Sequence, residues 1–365
     1  MLKQDLLDFN LQELQDFCVF NNLPKFRATQ IWRWIYCFGV KSFKDMNNIS
    51  KITREFLNEI SVISRLEVSE MQESKDGTIK WLIKLNDGSE IETVYIPQED
   101  RGTVCLSSQV GCTLNCSFCH TGTQALVRNL KSSEIIGQLM LVMDHLHDWP
   151  SGKSNRKVTN IVMMGMGEPL LNYEEVSKAI KVMLSDDGIS LSRRRITLST
   201  SGIIPLIEKA GMDLGVNLAI SLHAVNDKLR NQLVPINKKY NLESLIESCR
   251  NYPNLSNSRR ITWEYVMLRD INDTEKDAKN LIKLIRGIPS KINLIPFNPW
   301  PGSFFKTSTK KNIDMFAKVI MEAGFASPIR KPRGQDIYAA CGQLKSDSEK
   351  LRKSQINKLV PIHAI

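Results

Sequence analysis

Twelve residues, Gly111 to Gly122, constrain this chain more than any others: Gly-Cys-Thr-Leu-Asn-Cys-Ser-Phe-Cys-His-Thr-Gly. Three of the eight cysteines fall here, Cys112, Cys116 and Cys119, spaced Cys-x3-Cys-x2-Cys. Thiolates this close on one loop can turn toward one centre. A structural zinc site closes with four ligands, and the loop offers three sulfurs. The next donor, His120, directly follows Cys119 and reaches the same metal only with strain. Three thiolates on a four-iron cluster leave one iron open to bind and reduce another molecule. Spacing alone leaves two plainer alternatives: a zinc site completed from elsewhere in the chain, and ordinary buried cysteines.

At 365 residues the chain can bury a substantial core, which suits one large domain with a small one. Its composition is that of a folded protein. The N-terminus, Met-Leu-Lys-Gln-Asp-Leu-Leu-Asp, has no apolar signal-peptide core, and no apolar run approaches membrane-spanning length. A cytoplasmic protein without membrane association is expected. Eight cysteines in such a chain point to a reducing compartment, where thiols serve metal and redox chemistry. The net charge is +10 and comes in clusters: Arg193-Arg194-Arg195, Arg259-Arg260, Lys310-Lys311, Arg330-Lys331 with Arg333, and a tail with Lys350, Arg352, Lys353 and Lys358. This favours a polyanionic partner, nucleic acid above all, over a lysine-rich solvated surface.

Residues 1–60 read as helical, with Leu7, Leu11, Leu14 and Phe17 at helical spacing. In Lys25 to Tyr36 the apolar face is Ile31, Trp34 and Ile35. A small basic helical unit with exposed aromatics can clamp RNA; read by itself it is an amphipathic helix with tryptophans in the core. Cys18 and Cys37 read as buried small residues, as does Cys249. Residues 62–97 change period. Thr78 to Leu85 and Glu90 to Ile96 form a hairpin around Asp87-Gly88. Alternation puts Glu90, Glu92, Val94 and Ile96 on one face. A carboxylate sharing a face with valine and isoleucine is partly desolvated, which raises its pKa toward that of a working base; most strand glutamates are simply exposed.

From about residue 100, strand, loop and helix repeat. The strands are 102–107, 160–164, 195–199, 216–221, 261–267 and 292–295; the helices between them are 132–146, 174–184, 203–210, 242–252 and 274–285. Six β/α units in series predict an α/β fold with a parallel sheet, a partial (β/α)6 barrel whose active site lies at the C-terminal strand ends. The polar motifs fall at those ends: the cysteine loop, Gly165-Met-Gly-Glu-Pro-Leu, Ser199-Thr-Ser-Gly, Ser221-Leu-His-Ala and Pro296-Phe-Asn-Pro. Each is singly a plausible turn. Their shared location is the stronger argument. The division expected is a helical RNA-binding accessory domain at 1–60, a β-hairpin extension carrying Glu92 at 61–97, a barrel core at 98–335 and a C-terminal segment carrying Cys341 at 336–365.

The cysteine spacing, with an aromatic before the last cysteine, resembles the signature of radical S-adenosylmethionine (SAM) enzymes. Further motifs narrow the resemblance: Arg27-Ala-Thr-Gln-Ile-Trp, Glu92-Thr-Val-Tyr-Ile-Pro, Cys105-Leu-Ser-Ser-Gln-Val-Gly-Cys112, Arg128-Asn-Leu, Gly165-Met-Gly-Glu-Pro-Leu, Ser221-Leu-His-Ala and Arg333-Gly-Gln-Asp-Ile-Tyr-Ala-Ala-Cys341-Gly-Gln-Leu. Almost end to end the chain resembles the dual-specificity radical SAM adenine methyltransferases, which act on carbon 2 of adenine 2503 in 23S rRNA and of adenine 37 in tRNA. Cys105 and Cys341 in these surroundings point to this family and to a close relative that methylates carbon 8 of the same nucleotide.

The resemblance implies a [4Fe-4S] cluster on Cys112, Cys116 and Cys119, with SAM on the open iron. Gly167 and Glu168 would hold the amino end of SAM, and Ser199, Ser221, Leu222, His223 and Asn298 would complete its pocket, Leu222 by main chain. Carbon 2 of adenine is electron-poor, so direct polar methyl transfer fails there. The implied route consumes two SAM per turnover. The Cys341 thiolate takes a methyl group and becomes S-methylcysteine. A 5′-deoxyadenosyl radical from the second SAM removes hydrogen from that methyl group. The resulting methylene radical adds to carbon 2 as a protein–RNA adduct, and Glu92 is the proton acceptor. Cys105 then attacks the Cys341 sulfur, releasing RNA and leaving a transient disulfide. The two cysteines, far apart in sequence, must therefore come within disulfide reach. The resemblance further implies 23S rRNA and tRNA as partners, an external electron donor of flavodoxin or ferredoxin type, a thiol reductant and a monomeric enzyme. His120-Thr-Gly after the last cysteine is read as a variable position. Two other readings stand beside this one: the carbon-8 relative, and a zinc-stabilised RNA-binding protein without catalysis.

Overall fold

The computed structural model describes residues 3–346. The basic tail with Lys350, Arg352, Lys353 and Lys358, and the end of the 336–365 segment, lie outside the described residues.

Residues 3–60 hold three α-helices, α1 (Leu11–Phe20), α2 (Phe26–Tyr36) and α3 (Lys51–Ile60). Asn10 and Glu13 form a capping box that starts α1. A short parallel pair, Gln4–Asp5 with Ser61–Val62, ties the start of this unit to its end. The buried face of α2 is Ala28, Ile31, Trp32, Ile35 and Tyr36. It thus centres on Trp32, where the sequence reading had Trp34. Trp32 reaches across to the barrel and donates Nε1–H to Ser185 Oγ, whereas Trp34 donates to Asn48 at the surface. Cys18 is fully buried, but Cys37 is only half-buried, its thiol against the carbonyls of Asp187 and Gly188.

Nine strands make one sheet in chain order: β1 (Glu67–Glu73), β2 (Ile79–Lys84), β3 (Glu90–Gln98), β4 (Arg101–Cys105), β5 (Asn160–Met163), β6 (Ile196–Thr200), β7 (Asn217–Ser221), β8 (Ile261–Met267) and β9 (Ser290–Pro296). The first four are antiparallel neighbours; β4 to β9 are parallel. The β2–β3 hairpin turns at Asp87-Gly88 as expected, with Gly88 at φ 82°. β1 escaped the sequence reading because it is an edge strand with hardly a buried side chain, so it carries no alternation.

Helices α4 (Ser132–His145), α5 (Tyr173–Leu184), α6 (Ile204–Leu214), α7 (Asp227–Leu233), α8 (Leu242–Arg250), α9 (Glu275–Leu284) and α10 (Lys310–Glu322) accompany the parallel strands. The outward strand residues Val104, Ile161, Leu198, Leu218, Trp263, Ile292 and Leu294 are buried in the core beneath them. The inward residues are more polar: Thr103, Asn160, Thr197, Asn217, Thr262, Glu264, Lys291 and Asn293 line an open cavity. This barrel is therefore a cleft, not the packed interior of a closed (β/α)8 barrel. α7 is too short to show a period. α10 lies in a stretch noted only for its lysines, yet it buries Ile313, Phe316, Ala317 and Ile320.

Candidate active site

The cysteine loop leaves the C-terminal end of β4. Gly111 adopts φ 75°, and a Cβ there would stand 2.0 Å from the Ala125 carbonyl oxygen, so only glycine fits. Cys119 N–H donates to the Cys116 carbonyl and Gly122 N–H to that of Cys119, which coils the loop tightly. Cys112, Cys116 and Cys119 all line one cavity, together with Gly167, Glu168, Ser199, Ser221, His223 and Cys341. Burial raises the pKa of Cys116, and the neighbouring Cys112 and Cys119 raise it further. Three thiols in mutual electrostatic reach call for a positive counterpart. Among the described residues no three histidine, cysteine or carboxylate side chains gather as one metal ion would require. A cluster that gives each thiolate its own iron needs no such convergence, so the donor set fits a [4Fe-4S] cluster.

The next wall is backbone. Gly167 has φ 97°, and a Cβ would come within 2.5 Å of Gln109 Cβ. Glu168 is buried beside it. Its carboxylate accepts N–H groups from Leu170 and Ser201, while its own N–H donates to Gln109 Oε1. Burial raises the Glu168 pKa and these hydrogen bonds oppose the rise. An ammonium group in the cavity would supply the missing countercharge, which suits the amino end of SAM.

His223, two residues past the end of β7, has a left-handed conformation, φ 59°. Its Nδ1 accepts the Val266 N–H at 3.0 Å, so the neutral ring carries its proton on Nε2. Burial, with Arg230 nearby, lowers its pKa to about 3. Leu222 is fully buried and lines neither cavity; its N–H donates to the Glu264 carbonyl and its own carbonyl accepts from Arg230. Asn298 holds the Cys341 carbonyl through Nδ2 at 3.1 Å.

A second cavity, of about 540 Å³, adjoins the first and runs down inside the barrel. Cys105, Cys119, Asn298 and Cys341 line it. Neither Cys105 nor Cys341 is in a disulfide. The Cys105 pKa is raised by burial and then by Cys341, so the two thiols are in electrostatic reach. Cys341 is exposed to the cleft, yet protein surrounds it; desolvation and then Glu264 raise its pKa, against Arg330.

Cys341 rides on a strap, residues 334–346, gripped from both sides. His120 N–H donates to the Gly342 carbonyl, Thr121 Oγ1 to that of Leu344, and Gln124 to that of Ser346. Glu92 Oε2 accepts the Lys345 N–H at 2.7 Å, and its other oxygen pairs with Lys80 at 2.8 Å. Burial raises the Glu92 pKa, and Lys80 opposes the rise. Glu92 thus meets the strap without lining either cavity itself.

Three further residues of this region have structural roles that the sequence does not assign. Gln109 positions Glu168. Asn172 donates to the carbonyls of Ser108 and Leu130, bracing the loop's base. Arg230, fully buried, donates to the carbonyls of Ser201, Ser221 and Leu222 and to Asn237. Nothing local marks Asn172 or Arg230, each one polar side chain in an ordinary setting, and Gln109 stands inside the Cys105–Cys112 motif with nothing that singles it out.

Residues 4–63 match the family model described as the ribosomal RNA large subunit methyltransferase N-terminal domain, and residues 106–284 match the radical SAM superfamily. The chain is 56% identical over 369 residues to a protein of Sinorhizobium fredii named dual-specificity RNA methyltransferase RlmN, covering 96% of this chain and 90% of that one. It is 58% identical over 363 residues to the protein of that name from Bartonella tribocorum, covering 96% and 89%. The crystal structure of a radical SAM methyltransferase from Sphaerobacter thermophilus superposes with a TM-score of 0.87 at 38% identity, covering 94% of this chain and 99% of that one.

Proposed function

The chain belongs to the RlmN family of dual-specificity RNA methyltransferases, radical SAM enzymes that use a [4Fe-4S] cluster and SAM; from that premise we propose that it methylates carbon 2 of adenine, at position 2503 of 23S rRNA and position 37 of tRNA. One observation carries the proposal. Two thiols beyond the three of the loop, Cys105 and Cys341, are free and share a cavity beside that loop. Chemistry that needed only a radical would have no use for them.

When bound, the cluster and SAM supply the methyl group and the hydrogen-abstracting radical. Cys112, Cys116 and Cys119 would hold the cluster. Glu168 would take the ammonium of SAM beside Gly167; Ser199, Ser221, His223 and Asn298 would line its remainder. Cys341, as thiolate, accepts the methyl group and carries it to carbon 2. Glu92 accepts the carbon-2 proton; its buried setting raises its basicity, and Lys80 keeps it in reach of the ionised form. Cys105 attacks the Cys341 sulfur and breaks its bond to the methylene carbon, so that the methylated RNA leaves, and an external thiol reduces the disulfide so formed. We assign residues 1–60 to RNA binding, 61–97 to presenting Glu92, 98–335 to the radical SAM core and 336–365 to carrying Cys341, in a cytoplasmic setting.

The deciding experiment is nucleoside mass spectrometry after anaerobic reconstitution with SAM, a reductant, and rRNA or tRNA. The expected product is 2-methyladenosine. 8-Methyladenosine without it would replace this reading with the carbon-8 one. A Cys105→Ala enzyme should accumulate a protein–RNA adduct visible on a denaturing gel.

A further inference from the structure

The inner cavity extends past Cys341 to the N-terminal ends of the parallel strands, the end away from the cysteine loop. Among the described residues seven cations line it: Arg101, Arg194, Arg260, Lys291, Arg330, Lys331 and Arg333. One carboxylate, Glu264, stands among them. Arg194 lies two residues before β6, Arg260 immediately precedes β8 and Lys291 is the second residue of β9, so the charge gathers at the strand starts. Burial lowers the Lys291 pKa, and Arg330, Arg101 and Arg260 depress it further, with Glu264 opposing. Such crowding is unfavourable until an anion arrives.

Deeper in, Asn293 points from β9 to the inner face, between Lys291 and Ile295. It is 2% exposed. Its Nδ2 donates to Glu264 Oε1 at 2.7 Å, which fixes the amide orientation. Its Oδ1 is buried and accepts no hydrogen bond. An orphaned acceptor of this kind is costly, and its orientation is set by a carboxylate that borders Cys341. The cavity is no packing fault: about 540 Å³ far exceeds the roughly 10–15 Å³ one ordered water needs.

We propose that Asn293 is a specificity residue of this enzyme: its Oδ1 accepts a hydrogen bond from the exocyclic N6 amino group of the target adenine, while the cationic mouth holds the flanking phosphates. The inference rests on the adenine carbon-2 reading given above. A base with carbon 2 against Cys341 turns its N1/N6 edge toward Glu264 and Asn293. Reading a base in an enzyme pocket by its Watson–Crick edge is the general solution for enzymes that act on an extruded nucleotide. Guanine would set its O6 carbonyl against the Asn293 carbonyl, and uracil its O4, so both are rejected by repulsion and by the orphaned acceptor.

The test uses the reconstituted full chain and two anticodon stem-loop RNAs, one with adenosine and one with purine riboside, which lacks N6, at the target position. Equilibrium binding is read by fluorescence anisotropy, without turnover. The wild-type protein should bind the adenosine RNA about tenfold more tightly, as one hydrogen bond to a buried acceptor allows. Asn293→Leu, close in shape, should bind both RNAs equally at the weaker affinity. Equal binding of both RNAs by the wild-type protein, or a preference retained by Asn293→Leu, overturns the proposal. The wild-type comparison stands even if the variant fails to fold. Methylation of the adenosine RNA assayed in parallel separates the two readings: 2-methyladenosine formed without binding preference sinks only the role of Asn293, and absence of 2-methyladenosine sinks the function itself.

Discussion

At the C-terminal ends of the parallel strands the site is built from main chain. Gly111 and Gly167 admit no side chain, His223 sits in a left-handed turn, and Arg230 pins three carbonyls in place. At the N-terminal ends of the same strands the cavity is built from long cationic side chains contributed by five separate stretches. Rigid backbone suits a compact, charged ligand whose reacting atoms need fixed placement. Long flexible cations suit a polyanion, held by many weak and mutually replaceable contacts. Substitutions at the two ends should therefore fail in different ways: chemistry lost with binding intact at one, binding weakened with chemistry intact at the other.

The largest effect expected is at the loop. Cys112→Ala should abolish the visible absorption of the reconstituted cluster and all methylation, while RNA affinity stays within about twofold. Cys341→Ala should keep the absorption and make no methylated RNA. If either variant also lost RNA affinity by an order of magnitude, the division between the two ends would not stand. Next comes Glu92→Gln. Removing a positioned base typically costs about 10²–10⁴ in rate, and single-turnover kinetics should show that loss with the protein–RNA adduct persisting.

At the other end the effects are smaller. Arg260→Ala and Lys291→Ala should each weaken RNA binding several-fold and reduce the slope of log affinity against log salt by about one. Cluster absorption should be unchanged, and a change in it would blur the contrast. The smallest effect sharpens the assignment of the base. Lys80 opposes the burial-driven rise of the Glu92 pKa. Glu92 must be ionised to accept a proton, so Lys80→Met, by letting its pKa climb, should move the acid limb of the pH–rate profile to higher pH. An unmoved limb would mean that another group titrates there.

The same contrast explains what was legible in the sequence. The cysteine loop, the Gly-Met-Gly-Glu motif and the Asp-Gly hairpin are contiguous, because a main-chain structure is specified by neighbours. The six parallel strands showed themselves through apolar outward faces packed on helices. The cationic mouth shows in the sequence only as separate basic clusters, since nothing local says that Arg194, Arg260 and Arg330 meet. Asn293 was invisible inside the otherwise apolar run 292–295, and β1 lacked the alternation that would have marked it.

The strap that carries Cys341 has one more consequence. Exposed loops normally accept insertions and deletions freely. This one is pinned at Gly342 and Leu344 by the cysteine loop and at Lys345 by Glu92. Each residue of extended chain spans about 3.3–3.6 Å, and a misplacement of about 1 Å can cost a hundredfold in rate. A residue added to or removed from this segment should therefore disturb the site more than an exchange of one side chain for another: its length is a ruler between Glu92 and the cysteine loop.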